Sequence, residues 1–220
     1  MAHRKPRAVS RKMDPARREA FIRSYNDLLN GLCDDEAVLF AGAVHPAHAA
    51  RPAGCWAPKD MRLGVEQTSG RDRLNMHGAI ELETGTTCLL DVETVNAVST
   101  IKPLEEIEAA YPKQRKIRVW AGNAKYHKAV MVREWLARPE CRIRLHFLPA
   151  YCPHLEPIGR LWGLMHKNVT HNRCYAKFKN FRAAIPGFPR DAVPKNWRIY
   201  RDSISDNFRV IKPSDFRVLT

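Results

Sequence analysis

Lys116-Ile117-Arg118-Val119-Trp120-Ala121, then His127 to Ala137, then Arg142 to Leu148, then Glu156 to about Val169: this succession decides the fold. The first and third segments are short runs rich in β-branched and aromatic residues, and predict strands. The second and fourth carry apolar residues at helical spacing. In the fourth, Ile158, Leu161, Trp162, Met165 and Val169 fall on one stripe. Strand alternating with helix implies parallel pairing through crossover helices, so the sheet must be covered by helices.

Working outward, Leu74–Ile80 and Thr87–Val92 alternate in polarity around Glu83-Thr84-Gly85-Thr86, which predicts an antiparallel pair. Ala37-Val38-Leu39-Phe40-Ala41 reads as a strand buried on both faces, and Pro46 to Pro58 as a turn or hairpin. Asp14-Pro15 predicts an N-cap with proline at the first helical position, opening a helix to about Leu32. A further helix is expected from Ser99, as cap, to Tyr111. Together these make a mixed sheet flanked by helices, an α/β domain without internal repeat or low-complexity segment. Downstream, Phe178 to Ala184 starts a helix, but Pro186, Pro189 and Pro194 follow. A proline inside a helix costs ~3 kcal/mol, so the helix is expected to stop near Ile185 and leave an irregular basic tail through Arg209. The domain organisation expected is a flexible basic arm (1–13), one α/β domain (14–185), and a basic C-terminal segment (186–220) packed on the domain or trailing it.

The 220 residues are 45% apolar and 27% charged, which is globular composition. Lys and Arg number 37 against 23 Asp and Glu, a formal charge of +14. Residues 1–23 hold eight basic residues against two acids, and 157–220 hold thirteen against four. Two basic ends around a neutral centre point to a polyanionic partner, DNA first among them. No apolar run approaches the ~18–20 residues that span a bilayer, and the basic start lacks the apolar core of a secretory signal. The six cysteines form no C-x-x-C pair and read as reduced thiols. A cytoplasmic, nucleoid-associated location is expected.

Three strings carry an identification: Leu39-Phe40-Ala41-Gly42-Ala43-Val44-His45-Pro46, Val119-Trp120-Ala121-Gly122-Asn123-Ala124-Lys125-Tyr126-His127, and Pro149-Ala150-Tyr151-Cys152-Pro153-His154-Leu155-Glu156-Pro157-Ile158-Gly159-Arg160-Leu161-Trp162. With Thr68 to Asn75 and Asp206 to Ile211, they make the chain resemble the catalytic domain of mariner-type bacterial insertion-sequence transposases of the DDE superfamily. The likeness runs from about residue 15 to 220. It implies an RNase H-like fold and DNA strand cleavage and transfer with two Mg²⁺ held by Asp, Asp and Glu. Two such ions ~3.5–4 Å apart clamp the attacking and leaving oxygens and need hard oxygen ligands. The matching positions here are Gly42, Gly122 and Gly159, and the family's Asn of the third motif is Glu156. The resemblance therefore implies a catalytic triad vacated at all three places, with no metal expected as the chain is written. Asn123, Tyr126, His127, His154, Pro157 and Arg160 still match the family pattern. Three single changes falling on those three positions fit inactivation by selection or by design, whereas Pro186 and Pro189, standing where the family has apolar helix residues, fit general degeneration.

Other acids offer few replacements. Asp34, Asp35 and Glu36 precede Gly42 by six to eight residues, ~20 Å or more along an extended strand. Asp91 and Glu93 alternate with apolar neighbours and are expected to face solvent. Glu156 lies three residues before Gly159, on the same side of a helix. The histidines (His45-x-x-His48, His127, His154, His166, His171) lack a four-ligand zinc pattern and read as polar or DNA-facing. Thr68-Ser69-Gly70-Arg71 is too short for a P-loop, and most tryptophans read as core. Lys125, His127, Lys128, Arg160 and Lys167, beside the vacated centre, are the expected DNA contacts. Full-length relatives carry an N-terminal helix-turn-helix region before the part that resembles this chain, so sequence-specific end binding is expected to be weak or lost. The expectation is a catalytically inactive domain that binds DNA without sequence preference. Two alternatives stand beside it: an active transposase using other carboxylates such as Glu156, and a regulatory or dominant-negative partner, as homodimer or in hetero-oligomers with an active transposase.

Overall fold

A computed structural model of the chain describes residues 10–68 and 71–208. Residues 1–9 of the expected basic arm, Ser69-Gly70 of the stretch Thr68 to Asn75, and the C-terminal segment from Arg209 on, including the last part of Asp206 to Ile211, lie outside the described residues.

The chain begins with helix α1 (Pro15–Asn30), opened by Asp14, whose carboxylate accepts from the amides of Ala16 and Arg17. Five strands follow: β1 (Glu36–Val44), β2 (Asn75–Glu81), β3 (Thr87–Val92), β4 (Lys116–Ala121) and β5 (Ile143–Phe147). Their spatial order is β3-β2-β1-β4-β5. The β1–β2 and β2–β3 pairs are antiparallel, while β1–β4 and β4–β5 are parallel. The parallel steps run through α2 (Ala97–Ala110) and α3 (Val130–Leu136), as the alternation of periods demanded.

Helices cover both faces. On one side α1 and α4 (Pro157–Met165) bury Phe21, Tyr25, Phe40, Ile158, Leu161, Trp162 and Met165 together. On the other, α2 and α3 bury Leu104, Ile107, Val132 and Trp135 against Leu39, Val119 and Ile143. Among the described residues, no helix is long and apolar enough to cross a membrane.

Three local expectations need correction. The cap of α2 is Asn96, not Ser99. Its side chain accepts from the Ser99 amide at 2.9 Å, and the Ser99 hydroxyl accepts from the Asn96 amide at 2.9 Å. This reciprocal box moves the helix start upstream. The stretch from Pro46 to Pro58 forms no hairpin of its own and makes isolated bridges instead, Ala47 antiparallel to Arg73 and Arg51 parallel to His171. The third correction is larger, because the chain stays helical beyond Ile185. Helix α5 (Phe178–Gly187) runs through Pro186 into a wide turn (Phe188–Ala192), then a short helix α6 (Val193–Lys195) and α7 (Trp197–Ile204). Pro189 and Pro194 lie within this continuous helical path, since Gly187 and Ala192 before them are themselves right-handed helical; the wide turn, in which the Val193 amide donates to the Phe188 carbonyl, accommodates their missing donors. Ile185, Phe188, Val193 and Ile204 are all buried in the α1/α4 core. At ~1.5–3 kcal/mol for each side chain so buried, this packing offsets the cost of the prolines.

Two glycines let helices reach the sheet. A Cβ on Gly78 of β2 would lie 2.5 Å from the Trp162 ring, so only glycine lets α4 come so close. Gly85, at φ +75° in the β2–β3 turn, lies under the Trp197 ring, whose indole N–H donates to the Glu83 carbonyl at 3.0 Å.

Candidate functional site

Strands β1 and β4 pair in parallel with Ala41 opposite Ala121, which puts Gly42 and Gly122 side by side at their carboxyl ends. Between these strands the chain order reverses, with β2 and β3 on one side and β5 on the other. Such a switch point leaves a crevice at the strand ends, where open α/β sheets bind ligands. The segment after β5 returns over that crevice and starts α4 with Pro157 at its first position. Glu156 is the residue before that helix, and the packing of Trp162 on Gly78 presses the helix start onto the strand ends.

The result is a carboxylate ringed by glycines. The Glu156 oxygens lie 3.2 Å from where a Cβ of Gly42 would stand, 3.4 Å from that of Gly122 and 3.8 Å from that of Gly159. The Cβ of Gly42 would also meet Ile158 Cγ2 at 2.9 Å. Glu156 makes no side-chain cap to its helix, and among the described residues no hydrogen bond or ion pair engages its carboxylate. Burial alone pushes its pKa above the usual carboxylate range. Its charge is felt by Tyr126, whose hydroxyl pKa is raised by burial first and by Glu156 second.

The other acids lie elsewhere. Glu36 is held by Lys116 at 3.0 Å and Arg118 at 2.8 Å, and Asp35 by Arg115 at 2.8 Å. Asp91, expected to face solvent, pairs with Arg182 at 2.8 Å. Among the described residues, no three His, Cys, Asp or Glu side chains gather where they could hold a metal ion.

The five residues expected to touch DNA have different surroundings. Lys125 and Lys128 are exposed in the turn after Gly122, with the Lys128 ammonium donating to Asn123 Oδ1 at 2.7 Å. Lys167 is exposed in the wide turn after α4, ~15 Å along the helix from Pro157 at 1.5 Å per residue. Arg160 is turned to the protein, donating to the carbonyls of His154 (2.6 Å) and Ser205, and so ties the turn before α4 to the end of α7. His127 is 6% exposed and sits beneath the surface, contrary to a DNA-facing placement. Burial first, then His77 and Lys128, push its pKa down to about 4. It lines a small cavity with His77 and Thr100, and its Nδ1 has no hydrogen-bond partner among the described residues.

Sequence reasoning passed over two features of this edge. A groove of about 420 Å³ opens beside Glu156, lined by Gly122, Asn123, Leu148 and the turn from Pro149 to Pro153. Tyr151, at φ +60° and half exposed, stands in that wall. A left-handed tyrosine has no signal in single-sequence pattern.

Comparison with known proteins agrees with this architecture. A model of the family described as DDE superfamily endonuclease matches residues 37–182. The chain is 22% identical over 141 residues to the insertion element IS630 uncharacterized 39 kDa protein of Shigella sonnei, covering 61% of this chain and 41% of that protein. It therefore spans well under half the length of this relative. Its fold matches the pre-cleavage Mos1 transpososome with a TM-score of 0.64 at 14% identity, over 95% of this chain and 68% of that one. It also matches the catalytic domain of Mos1 mariner transposase with a TM-score of 0.58 at 13% identity, over 93% and 100% of the two chains. At these identities the likeness establishes the fold, an RNase H-like mixed sheet flanked by helices. With well over half of its length matched, from β1 into α5, the chain belongs to the DDE superfamily endonuclease family.

Proposed function

We propose that the chain is a DDE-type transposase-like domain whose metal-holding acids have given way to Gly42, Gly122 and Gly159, and that it binds DNA without cutting it. One observation carries this reading: the three glycines converge on the crevice at the strand ends, with Glu156 as their shared carboxylate neighbour. A pair of Mg²⁺ ions supplies a Lewis acid and an activated nucleophile to a phosphodiester, and takes hard oxygen ligands from several side chains. A single carboxylate does not make that donor set, and burial already disfavours its charged form. The residues present do not fit the metal pair. Glu156 can accept a hydrogen bond or a proton, but alone it cannot clamp both oxygens of an in-line displacement.

DNA binding rests on charge. The formal +14, with Lys125, Lys128 and Lys167 exposed, favours contact with phosphates, which carry no sequence information directly. Among the solved Mos1 structures of like fold is a paired-end complex with the left transposon end, which supports DNA as the partner.

The test is nicking of supercoiled plasmid in Mg²⁺ or Mn²⁺ by the chain and by the triple variant Gly42→Asp, Gly122→Asp, Gly159→Glu. The chain leaves the plasmid intact and binds DNA at least as tightly as the variant. Nicking by the purified chain, at a rate proportional to its concentration, overturns the reading.

A further inference from the structure

We propose that the groove beside Glu156 receives an unpaired nucleobase, edge first, and that guanine is preferred. The proposal rests on the reading that this edge of the domain meets DNA, and adds which part of the DNA enters.

The lining of the groove disfavours phosphate. Its charged group is the Glu156 carboxylate, which no hydrogen bond or ion pair among the described residues engages. An acceptor partly withdrawn from water and left unmatched is costly, and a donor relieves that cost. A phosphodiester at the same place would set one anion against another. Two groups of opposite charge stand next to residues of the lining. On one side the Lys128 ammonium is fixed by Asn123 Oδ1 at 2.7 Å and lies 4.7 Å from the Phe147 ring centroid. On the other, the Lys12 ammonium lies 5.7 Å from the centre of the Tyr151 ring. An acceptor in the lining with ammonium groups beside it suits a nucleotide entering base first, its phosphates left by the lysines.

Size and shape agree. A groove of about 420 Å³ is within the range of small-molecule sites. Tyr151 is 54% exposed and held at φ +60°, a conformation that is strained for a residue with a Cβ. Its ring is available for stacking, the means by which proteins commonly hold splayed bases.

Counting donors selects the base. A carboxylate accepts two parallel N–H bonds. On its pairing edge guanine offers N1–H and the exocyclic amine side by side, whereas adenine and cytosine offer only the amine and thymine only N3–H. In a duplex that edge is hidden, so the ligand is a base at an overhang, a frayed end or a single strand.

The experiment uses fluorescence anisotropy with short labelled single strands of thymine carrying one central guanine, hypoxanthine or adenine, and a blunt duplex as reference. Hypoxanthine keeps N1–H and lacks the amine. In the wild-type chain the guanine strand binds about tenfold tighter than the adenine strand, the size of one good bidentate pair, with hypoxanthine between them. In Glu156→Gln the guanine advantage falls below about twofold, because the amide replaces one acceptor with a donor, while affinity for the blunt duplex does not fall. Tyr151→Ala weakens all three strands and keeps their order. Equal affinity for guanine and adenine in the wild-type chain, or an advantage that survives Glu156→Gln, overturns the proposal and leaves the DNA-binding reading intact. Failure to bind the blunt duplex overturns the DNA-binding reading instead.

Discussion

Acid should unfold this domain through the histidine pair beneath the strand ends. His77 is 4% exposed and His127 is 6% exposed, and both line the small cavity under α2. His77 is pushed down to about 4 by burial and then by His45, and His127 to about 4 by burial and then by His77 and Lys128. Both are neutral in the folded state at pH 7. Unfolded histidine takes its proton near pH 6.5, so over the window from 6.5 to 4 the unfolded chain binds more protons and stability falls with pH. Each depressed histidine contributes up to ~3 kcal/mol across that window at 1.36 kcal/mol per unit. Because part of the His127 shift is repulsion from His77, the two do not add in full, and a joint loss of ~4 kcal/mol is expected. Glu156, with its pKa raised, acts in the opposite direction: its desolvation cost is relieved as pH falls. Urea unfolding at pH 7, 6, 5 and 4.5, followed by tryptophan fluorescence, reads the slope. His166, also pushed down to about 4 by burial, and the depressed His146 and His154 add to the same slope, so His127→Phe, which keeps a ring in place, should lower the slope without abolishing it. A wild-type slope that is flat from 6.5 to 4.5, or one untouched by His127→Phe, would refute the reasoning.

Three further outcomes follow from the geometry. Gly78→Ala forces a Cβ to within 2.5 Å of the Trp162 ring; it should cost ~1–3 kcal/mol or more, measured as a lower Tm, and displace the start of α4. Glu156→Gln removes an unpaired carboxylate from a basic surface, so both the Tm at pH 7 and the affinity for duplex DNA should rise; a fall in both contradicts the placement of that side chain. Lys125→Ala and Lys128→Ala should each flatten the dependence of log affinity on log salt by ~0.9 if each meets one phosphate, whereas an unchanged slope removes that lysine from the interface.

Much of the fold was legible because it is encoded locally. Strand β4 spans the same six residues, Lys116–Ala121, that the apolar run marked out, and α1 starts after Asp14 with Pro15 as the capping chemistry requires. The β2–β3 pair followed from alternation around a turn containing Gly85. Prolines misled at the C-terminus because their cost is visible in sequence, while the compensating burial of Phe188, Val193 and Ile204 depends on a core assembled from distant segments. His127 misled for a related reason: a polar residue in a basic stretch reads as surface until a helix is packed over it.

The sequence by itself determined the order of elements, their caps and the parallel alternation, since period and capping act over a few neighbouring residues. It also singled out Gly42, Gly122 and Gly159, through resemblance to a family. Only the tertiary structure decided that the Glu156 carboxylate lies against all three, within 3.2–3.8 Å of their missing Cβ atoms. That contact depends on the β1–β4 register, which joins residues about eighty apart, and on Trp162 packing against Gly78, which sets how close the helix comes. Both are long-range packing outcomes, with no counterpart in any short stretch of the chain.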